Sequence, residues 1–458
     1  MSAHTVARSV TVLGGGLAGL TVARELRAGG YDGAVRIVDP EGVPYDRPPL
    51  SKAYLEGGVT VEKLHLVPEA WYTEYGVELI AAQAVRLDPG TGSVRLADGR
   101  DMVTDAVVLA TGGTPRRLPV PGGDLPGVHT LRTRADADRL RDVLRPGTRI
   151  AIVGAGLIGA EVASTAVGRG AEVTLIDTVD PPLAAAVGPE MARVLHAMHP
   201  AAGIRVLTGA LTAITLRQGA YVLRVDGEEV LADAVLSAVG IRAGTELARG
   251  AGLATDNGVL VDPQQRTGNP SVYAAGDCAR RVLPHGGPAP APSTGRRPCT
   301  KGSPWPPRSS GSPPRPQVPW FWSERHGSRL ECVGAMNAEG RTVVRERDGQ
   351  PPVFFRLGPD STLLGCAALD SPRLVRAARR MIQSQRPTAA EALADPAVDL
   401  RGLPADPSPV HRSPGTGERA DYGPAHVRTA RSGGSPPARA GSPGSEPRTT
   451  SAPPGGDP

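Results

Sequence analysis

Two glycine triplets, Gly14-x-Gly16-x-x-Gly19 and Gly154-x-Gly156-x-x-Gly159, have the spacing with which a backbone wraps a pyrophosphate. In such a turn the first glycine permits the tight bend and the second lets the main chain approach the phosphates. The third lets the following helix pack closely on the strand, and the helix start then faces the anion with free N–H groups. A carboxylate at the end of the next strand completes the site by accepting from a ribose hydroxyl. Asp39 closes one such strand and Asp177 closes the other. The alternative role for each is that of a strand-ending residue capping the next turn. A carboxylate at Asp177 repels a 2′-phosphate, and no Arg or Lys follows before Arg193, so the second site is expected to prefer NADH.

The elements that must hold these residues follow the same order twice. An apolar run at 9–13 precedes a helical stretch at 17–26, and one at 150–153 precedes a helical stretch at 157–167. The first unit runs to about 116 and ends in the apolar strand 106–111 and the turn Gly112-Gly113. Helical periodicity at 135–144 belongs to the second unit, 117–245. Within it Asp226-Gly227 joins runs at 220–225 and 228–231 as a hairpin. The strand at 233–238 repeats the pattern at 106, and the segment 271–277 is expected to rejoin the first unit. That unit is therefore discontinuous, 1–116 and 246–283. From 319 to 403 the pattern changes to short strands at 330–333, 342–345, 353–355 and 363–368, then a helix at 372–384. The fold class expected is α/β, with two Rossmann-like nucleotide-binding domains and a small C-terminal α+β domain.

Composition narrows the function. At 458 residues the chain has room for two or three cored domains. No signal peptide and no apolar run of transmembrane length are visible. The four cysteines, Cys278, Cys299, Cys332 and Cys366, lack CxxC spacing, so neither a disulfide framework nor a metal site is expected, which fits a reducing cytoplasm. The formal charge of +5 can be assigned entirely to 285–318, which holds Arg296, Arg297, Lys301, Arg308 and Arg315 and no acid. The rest of the chain is neutral, so no basic nucleic-acid face is expected.

Over about 1–283 and 319–403 the chain resembles the FAD-dependent NADH:ferredoxin reductases, the putidaredoxin reductase-like group within the pyridine nucleotide-disulfide reductase-like fold. The run Pro44-Tyr45-Asp46-Arg47-Pro48-Pro49-Leu50-Ser51-Lys52 carries most of this likeness. Further carriers are Ala110-Thr111-Gly112-Gly113, Leu131-Arg132-Thr133, Gly154 to Glu161, Gly276-Asp277-Cys278, Pro319-Trp320-Phe321-Trp322-Ser323 and the closing 393–401. The resemblance implies FAD on the first fingerprint and NADH on the second, with an interface domain at the C-terminal end. It implies FAD contacts at Ala18, Asp39, Arg47, Lys52, Ala84, Arg132 and Asp277. It further implies that Lys52 lies near the flavin, Glu161 near the nicotinamide carboxamide, and Trp320 or Trp322 near the flavin and the acceptor surface. The acceptor implied is a small iron–sulfur ferredoxin serving a monooxygenase or dioxygenase. Taken without the motif, Lys52 reads as a surface lysine, Glu161 as a helix-face acid and the tryptophans as core.

Two rivals keep the nucleotide sites. A redox-cysteine disulfide reductase or NADH oxidase would place a Cys in the segment that here reads Pro48 to Lys52, and no cysteine precedes Cys278. A binding protein without turnover is the other. The chain departs from the family between Arg281 and Pro319. There the family carries a helix, Glu-x-Trp-x-Asn-Ala-x-x-Gln-Gly, whose N-terminus faces the flavin's pyrimidine end; this chain reads Ser293-Thr294-Gly295-Arg296-Arg297-Pro298-Cys299-Thr300-Lys301-Gly302. Reading the codons one base earlier allows Glu-His-Trp-Thr-x-Ala-Val-His-Gln-Gly. Compensating frameshifts near 285 and 318 are the expectation, with a natural Pro-rich linker as the alternative. Residues 284–319 and 404–458 hold 24 of the 47 prolines, and the tail is expected to be disordered.

Overall fold

The structure is a computed structural model that describes residues 7–282 and 318–402. The expectations for the Pro/Arg-rich stretch up to 317 and for the tail from 404 lie outside those residues.

The first sheet is five parallel strands in the order Val272–Ala274, Ala106–Leu109, Ser9–Leu13, Ala34–Val38 and Val77–Ile80. Val10, Val12 and Leu13 are buried, as are all four residues of Ala106–Leu109. Such near-continuous apolar runs belong to strands covered on both faces. The second sheet is also five parallel strands, in the order Arg205–Thr208, Glu172–Asp177, Arg149–Val153, Ala234–Ser237 and Val128–His129. In both sheets the strand entering the glycine turn is central, so the turn opens at the carboxyl edge where α/β folds bind ligands. The chain leaves the first sheet after Leu109 and returns at Val272. Two short antiparallel strands, Gly113–Pro115 and Ile241–Ala243, carry it out and back side by side.

The Asp226-Gly227 hairpin forms as the sequence predicts. Both residues take positive φ, +46° and +89°, the conformation a tight two-residue hairpin needs. It belongs to a three-stranded antiparallel sheet with Leu211–Arg217. A second meander, Ala84–Asp88, Ser93–Leu96 and Asp101–Val103, has no counterpart in the sequence-based reading. Its residues alternate with charged, solvent-facing ones, so no apolar run marks it.

The C-terminal module is a five-stranded antiparallel sheet, ordered Trp320–Arg325, Ser328–Gly334, Leu363–Leu369, Gln350–Leu357 and Arg341–Arg347. The helix Pro372–Ser384 covers one face, packing Val375, Ala378 and Met381 onto Val333, Phe355 and Cys366. Proline at its first turn starts this helix, and Gln385 with φ +50° ends it. The other face packs Leu330, Phe354 and Leu369 against Val187, Met191 and Leu195 of the second nucleotide-binding unit. The edge strand Trp320–Arg325 was not expected as a strand, because Ser323 and Arg325 interrupt its apolar pattern. Both are buried against neighbouring units rather than exposed.

Candidate functional site

Two cradles repeat each other atom for atom. Gly14 and Gly154 sit at φ +119° and +103°, where a side chain is strained. A Cβ on Gly14 would stand 2.2 Å from Ala110 O, and one on Gly154 would stand 2.6 Å from Ala238 O. At the third glycine the clash comes from the turn itself: a Cβ on Gly19 would lie 2.0 Å from Gly14 O, and one on Gly159 would lie 1.8 Å from Gly154 O. Gly16 and Gly156 differ, since a Cβ there meets nothing within 4 Å. Each N-caps its helix, Leu17–Ala28 or Leu157–Gly168, with no side-chain cap and no acid in the first turn. The second glycine is thus open toward the outside of the turn, and the helix start has N–H groups left for an anion. These are the properties a dinucleotide pyrophosphate requires.

The two carboxylates brace their cradles. Asp39 accepts from Gly15 N–H at 2.5 Å and Glu41 N–H at 2.8 Å; Asp177 accepts from Ala155 N–H at 2.7 Å and Val179 N–H at 3.0 Å. The capping role and a position at the strand end beside the turn therefore coexist at both residues.

Around the first cradle the chain returns with Gly276, whose φ of +75° and missing Cβ let it lie against Ala18 at the helix start. Asp277 follows and forms an ion pair with Arg132 at 2.9 Å. Arg47 donates to Arg132 O at 2.6 Å, pairs with Glu41 at 3.0 Å and lies over the Tyr45 ring. The Tyr45 hydroxyl donates to Glu41 at 2.6 Å and accepts from Arg134 N–H, and burial raises its pKa well above the ordinary value. Arg47, Arg132, Asp277 and Asp39 are thereby tied to one region. Ala84 opens the meander and packs on the core under the first sheet, contributing only a methyl group. Cys278 is buried, its thiol donating to Leu109 O at 3.2 Å, and desolvation raises its pKa above the usual thiol value. It is a packed thiol, unsuited to thiolate chemistry.

A buried ion pair joins the Lys52 segment to the helix of the second cradle. The helix Leu157–Gly168 is apolar nearly all round, which marks it as a core helix, yet it carries Glu161 at 0% exposure. Lys52 Nζ stands 2.8 Å from Glu161 Oε2. Ser51 Oγ donates to the same oxygen at 2.5 Å, and Ser323 Oγ donates to Oε1 at 2.8 Å. Thr165, one turn on, fixes the Ser51 carbonyl at 2.9 Å. The Lys52 ammonium also lies 4.7 Å from the Trp322 ring centroid, with the Arg329 guanidinium at the same distance from that ring. Lys52, Glu161 and Trp322, drawn from three separate units, meet here. The surface-lysine and helix-face readings fail for Lys52 and Glu161.

Sequence reasoning named neither Ser51, Ser323 nor Arg325 as site residues. Ser51 and Ser323 lie inside motifs that were recognised, and their roles appear only when Glu161 is seen between them. Arg325 follows Ser323 by two along a strand, which puts both on one face. That spacing is a signal only once the segment is known to be a strand. Among the described residues no cluster of His, Cys, Asp and Glu could hold a metal ion, and no helix is long and apolar enough to cross a membrane.

Residues 8–295 match the family model described as pyridine nucleotide-disulphide oxidoreductase, and 320–404 match the one described as reductase C-terminal. The chain is 35% identical over 402 residues to rhodocoxin reductase of Rhodococcus erythropolis, covering 86% of this chain and 93% of that protein. It is 36% identical to the ferredoxin–NAD(+) reductase component of a biphenyl dioxygenase system from Paraburkholderia xenovorans, covering 86% and 98%. Among solved structures, the covalent putidaredoxin reductase–putidaredoxin complex superposes with a TM-score of 0.78 at 32% identity, covering 86% of this chain and 97% of that one.

Proposed function

The chain belongs to the pyridine nucleotide-disulphide oxidoreductase family, in its ferredoxin reductase branch with a reductase C-terminal module, and from that premise we propose that it carries electrons from NADH through bound FAD to a small ferredoxin-type iron–sulfur protein serving a monooxygenase or dioxygenase. The observation that carries this reading is the buried Lys52–Glu161 pair. It joins the Lys52 segment of the first unit to the helix that starts at the second cradle, and it lies against a tryptophan of the C-terminal module.

In this reading the unit made of 1–116 and 246–283 takes FAD, 117–245 takes NADH, and 319–403 forms the interface module. Gly14, Gly16 and Gly19 and the start of the helix at Leu17 would hold the pyrophosphate of FAD. Asp39 accepts from the ribose, and Asp277, oriented by Arg132, accepts from ribitol hydroxyls. The nicotinamide nucleotide lies likewise on Gly154, Gly156 and Gly159, with Asp177 on its adenosine ribose. The absence of a basic residue between Asp177 and Arg193 supports NADH over NADPH.

When bound, FAD supplies hydride acceptance and one-electron release. The protein's share is position and charge. Lys52 Nζ would supply a fixed cation to the electron density that a bound flavin takes up, and Glu161 keeps that ammonium in one place. Glu161 sits on the helix that starts at the second cradle, so seating the nicotinamide nucleotide and fixing Lys52 depend on the same rigid element. Trp322 shields the ammonium from water on the side of the C-terminal module.

A second reading, a catalytically impaired product of a frameshifted reductase gene, is favoured by the sequence of 284–319 with its twelve prolines. The experiment that tests the main reading is an anaerobic NADH titration of the purified protein. Bleaching of a flavin spectrum, followed by turnover with ferricyanide and with a ferredoxin, is the expected result. A protein that binds NADH but never bleaches contradicts it.

A further inference from the structure

Behind the Lys52–Glu161 pair stands a second buried cation. Arg325 is 3% exposed and ends the edge strand of the C-terminal sheet. Its Nη2 donates to Ser323 Oγ at 3.2 Å, and Ser323 Oγ donates in turn to Glu161 Oε1 at 2.8 Å. Its Nε has no hydrogen-bond partner among the described residues. A guanidinium taken out of water is unfavourable unless an anion compensates it. Burial draws the Arg325 pKa down to about 10, and Glu161 is the charge that opposes this.

The other charged and titratable groups nearby have partners of their own: Arg329, over the Trp322 ring, pairs with Glu324 at 3.3 Å and lies 3.9 Å from Glu331. His199 Nδ1 lies 3.0 Å from His326 Nε2, and the His196 ring meets His199 edge-on. Burial and Arg325 keep His199 and His326 below the usual histidine range, so both are neutral at pH 7. Glu161 is therefore held from two sides, by Lys52 on Oε2 and by Arg325 through Ser323 on Oε1. One anion thus faces two cations, one directly and one through a hydroxyl.

We propose that Arg325, acting through Ser323, is a positioning residue that keeps Glu161 ionised and in the rotamer that fixes Lys52 Nζ. The inference rests on the reading of Lys52 and Glu161 as the reaction-side pair. It ascribes control of that pair to the C-terminal module, since both Ser323 and Arg325 come from it.

The test is infrared spectroscopy across pH on the full chain, following the protonated carboxyl band that disappears in Glu161→Gln. In Arg325→Gln the pH at which that band appears is expected to move upward by about one unit, the lower end of what a nearby opposite charge produces. Arg325→Lys is expected to restore part of the shift. Ser323→Ala, which keeps the charge and cuts the bridge, is expected to move it in the same direction by less, and it serves if Arg325→Gln does not fold. A band that appears at the same pH in Arg325→Gln, or in Ser323→Ala where that variant must serve, overturns the proposal. This readout needs neither flavin nor NADH. Failure of flavin bleaching by NADH would sink the reductase reading while leaving the infrared result to stand or fall by itself.

Discussion

Lys52 Nζ and Glu161 Oε2, 109 residues apart in sequence, lie 2.8 Å apart in the interior, and Glu161 is fully buried. Removing one member of such a pair leaves the other charged without compensation, which costs about 3–5 kcal/mol. Glu161→Leu is expected to lower unfolding free energy by that order, and adding Lys52→Met to recover a large part. Urea denaturation of the two single variants and the double variant measures this. Additive losses would show that the pair is not coupled.

The second and third glycines of each cradle separate binding from folding. Gly156→Ala places its Cβ in open space at φ −67°, an ordinary backbone angle, so the protein should fold as before. Its KM for NADH should rise about tenfold or more, because the added methyl stands where the pyrophosphate approaches. Gly159→Ala drives a Cβ to 1.8 Å from Gly154 O and should lower Tm instead. Steady-state kinetics beside thermal melts decide it; a Gly156→Ala protein with normal KM would remove the pyrophosphate from this turn.

Nucleotide choice should rest on Asp177. Asp177→Ala removes an acceptor for the ribose hydroxyl and the repulsion of a 2′-phosphate together. The preference for NADH over NADPH in kcat/KM is expected to fall at least about tenfold, or about 1.4 kcal/mol. An unchanged ratio would mean that the carboxylate only braces Ala155 and Val179.

Acid should destabilise the contact between the second nucleotide unit and the C-terminal module. His199 is 1% exposed, and its pKa is drawn down to about 3, first by burial and then by Arg325, His326 and His196. Between the unfolded value near 6.5 and that folded value, the unfolded chain binds the proton and the native one does not. Stability therefore falls as pH falls through this window, at about 1 kcal/mol per pH unit. His199→Gln should flatten the decline when unfolding free energy is compared at pH 6.5 and pH 4.5. An equal slope in wild type and variant would contradict the assignment.

Flavin retention tests the unusual segment. Purified as written, the chain is expected to carry less than one FAD per polypeptide, since residues 284–318 lack the family's flavin-closing pattern. Recoding that segment one base earlier should raise the ratio toward one. Stoichiometric flavin in the unaltered protein would show that the segment does no harm. Genomic resequencing that finds an uninterrupted Pro/Arg frame would remove the frameshift.

The nucleotide-binding architecture was legible because its constraints are local. The close approach of Gly19 to Gly14 O and the continuous apolar strands are written in short windows, as is the double positive φ of Asp226-Gly227. The site around the Lys52–Glu161 pair was legible only in part. Lys52 and Glu161 were found through motifs, but nothing local distinguishes a buried Glu on an apolar helix from a solvated one. Ser323 and Arg325 were hidden for a related reason. They break the apolar pattern of their strand, and what draws them inward is Glu161, 162 positions from Ser323, a relationship that no window contains.

The chain leaves the first sheet and returns to it along two touching strands, Gly113–Pro115 and Ile241–Ala243, closed by hydrogen bonds from Arg116 N–H to Gly240 O and from Gly244 N–H to Gly112 O. Everything between these points enters and exits through one narrow doorway. Its ends are close together, so the geometry allows this stretch to be lifted out as a cassette and replaced by a homologous one of different nucleotide preference. Besides Arg132 on Asp277 and Met191 on the C-terminal sheet, the seam that limits such an exchange is the far wall, where Glu161 must still find Lys52 and Ser323. A graft that kept the doorway and changed that wall would join two sound parts into a protein with no working centre.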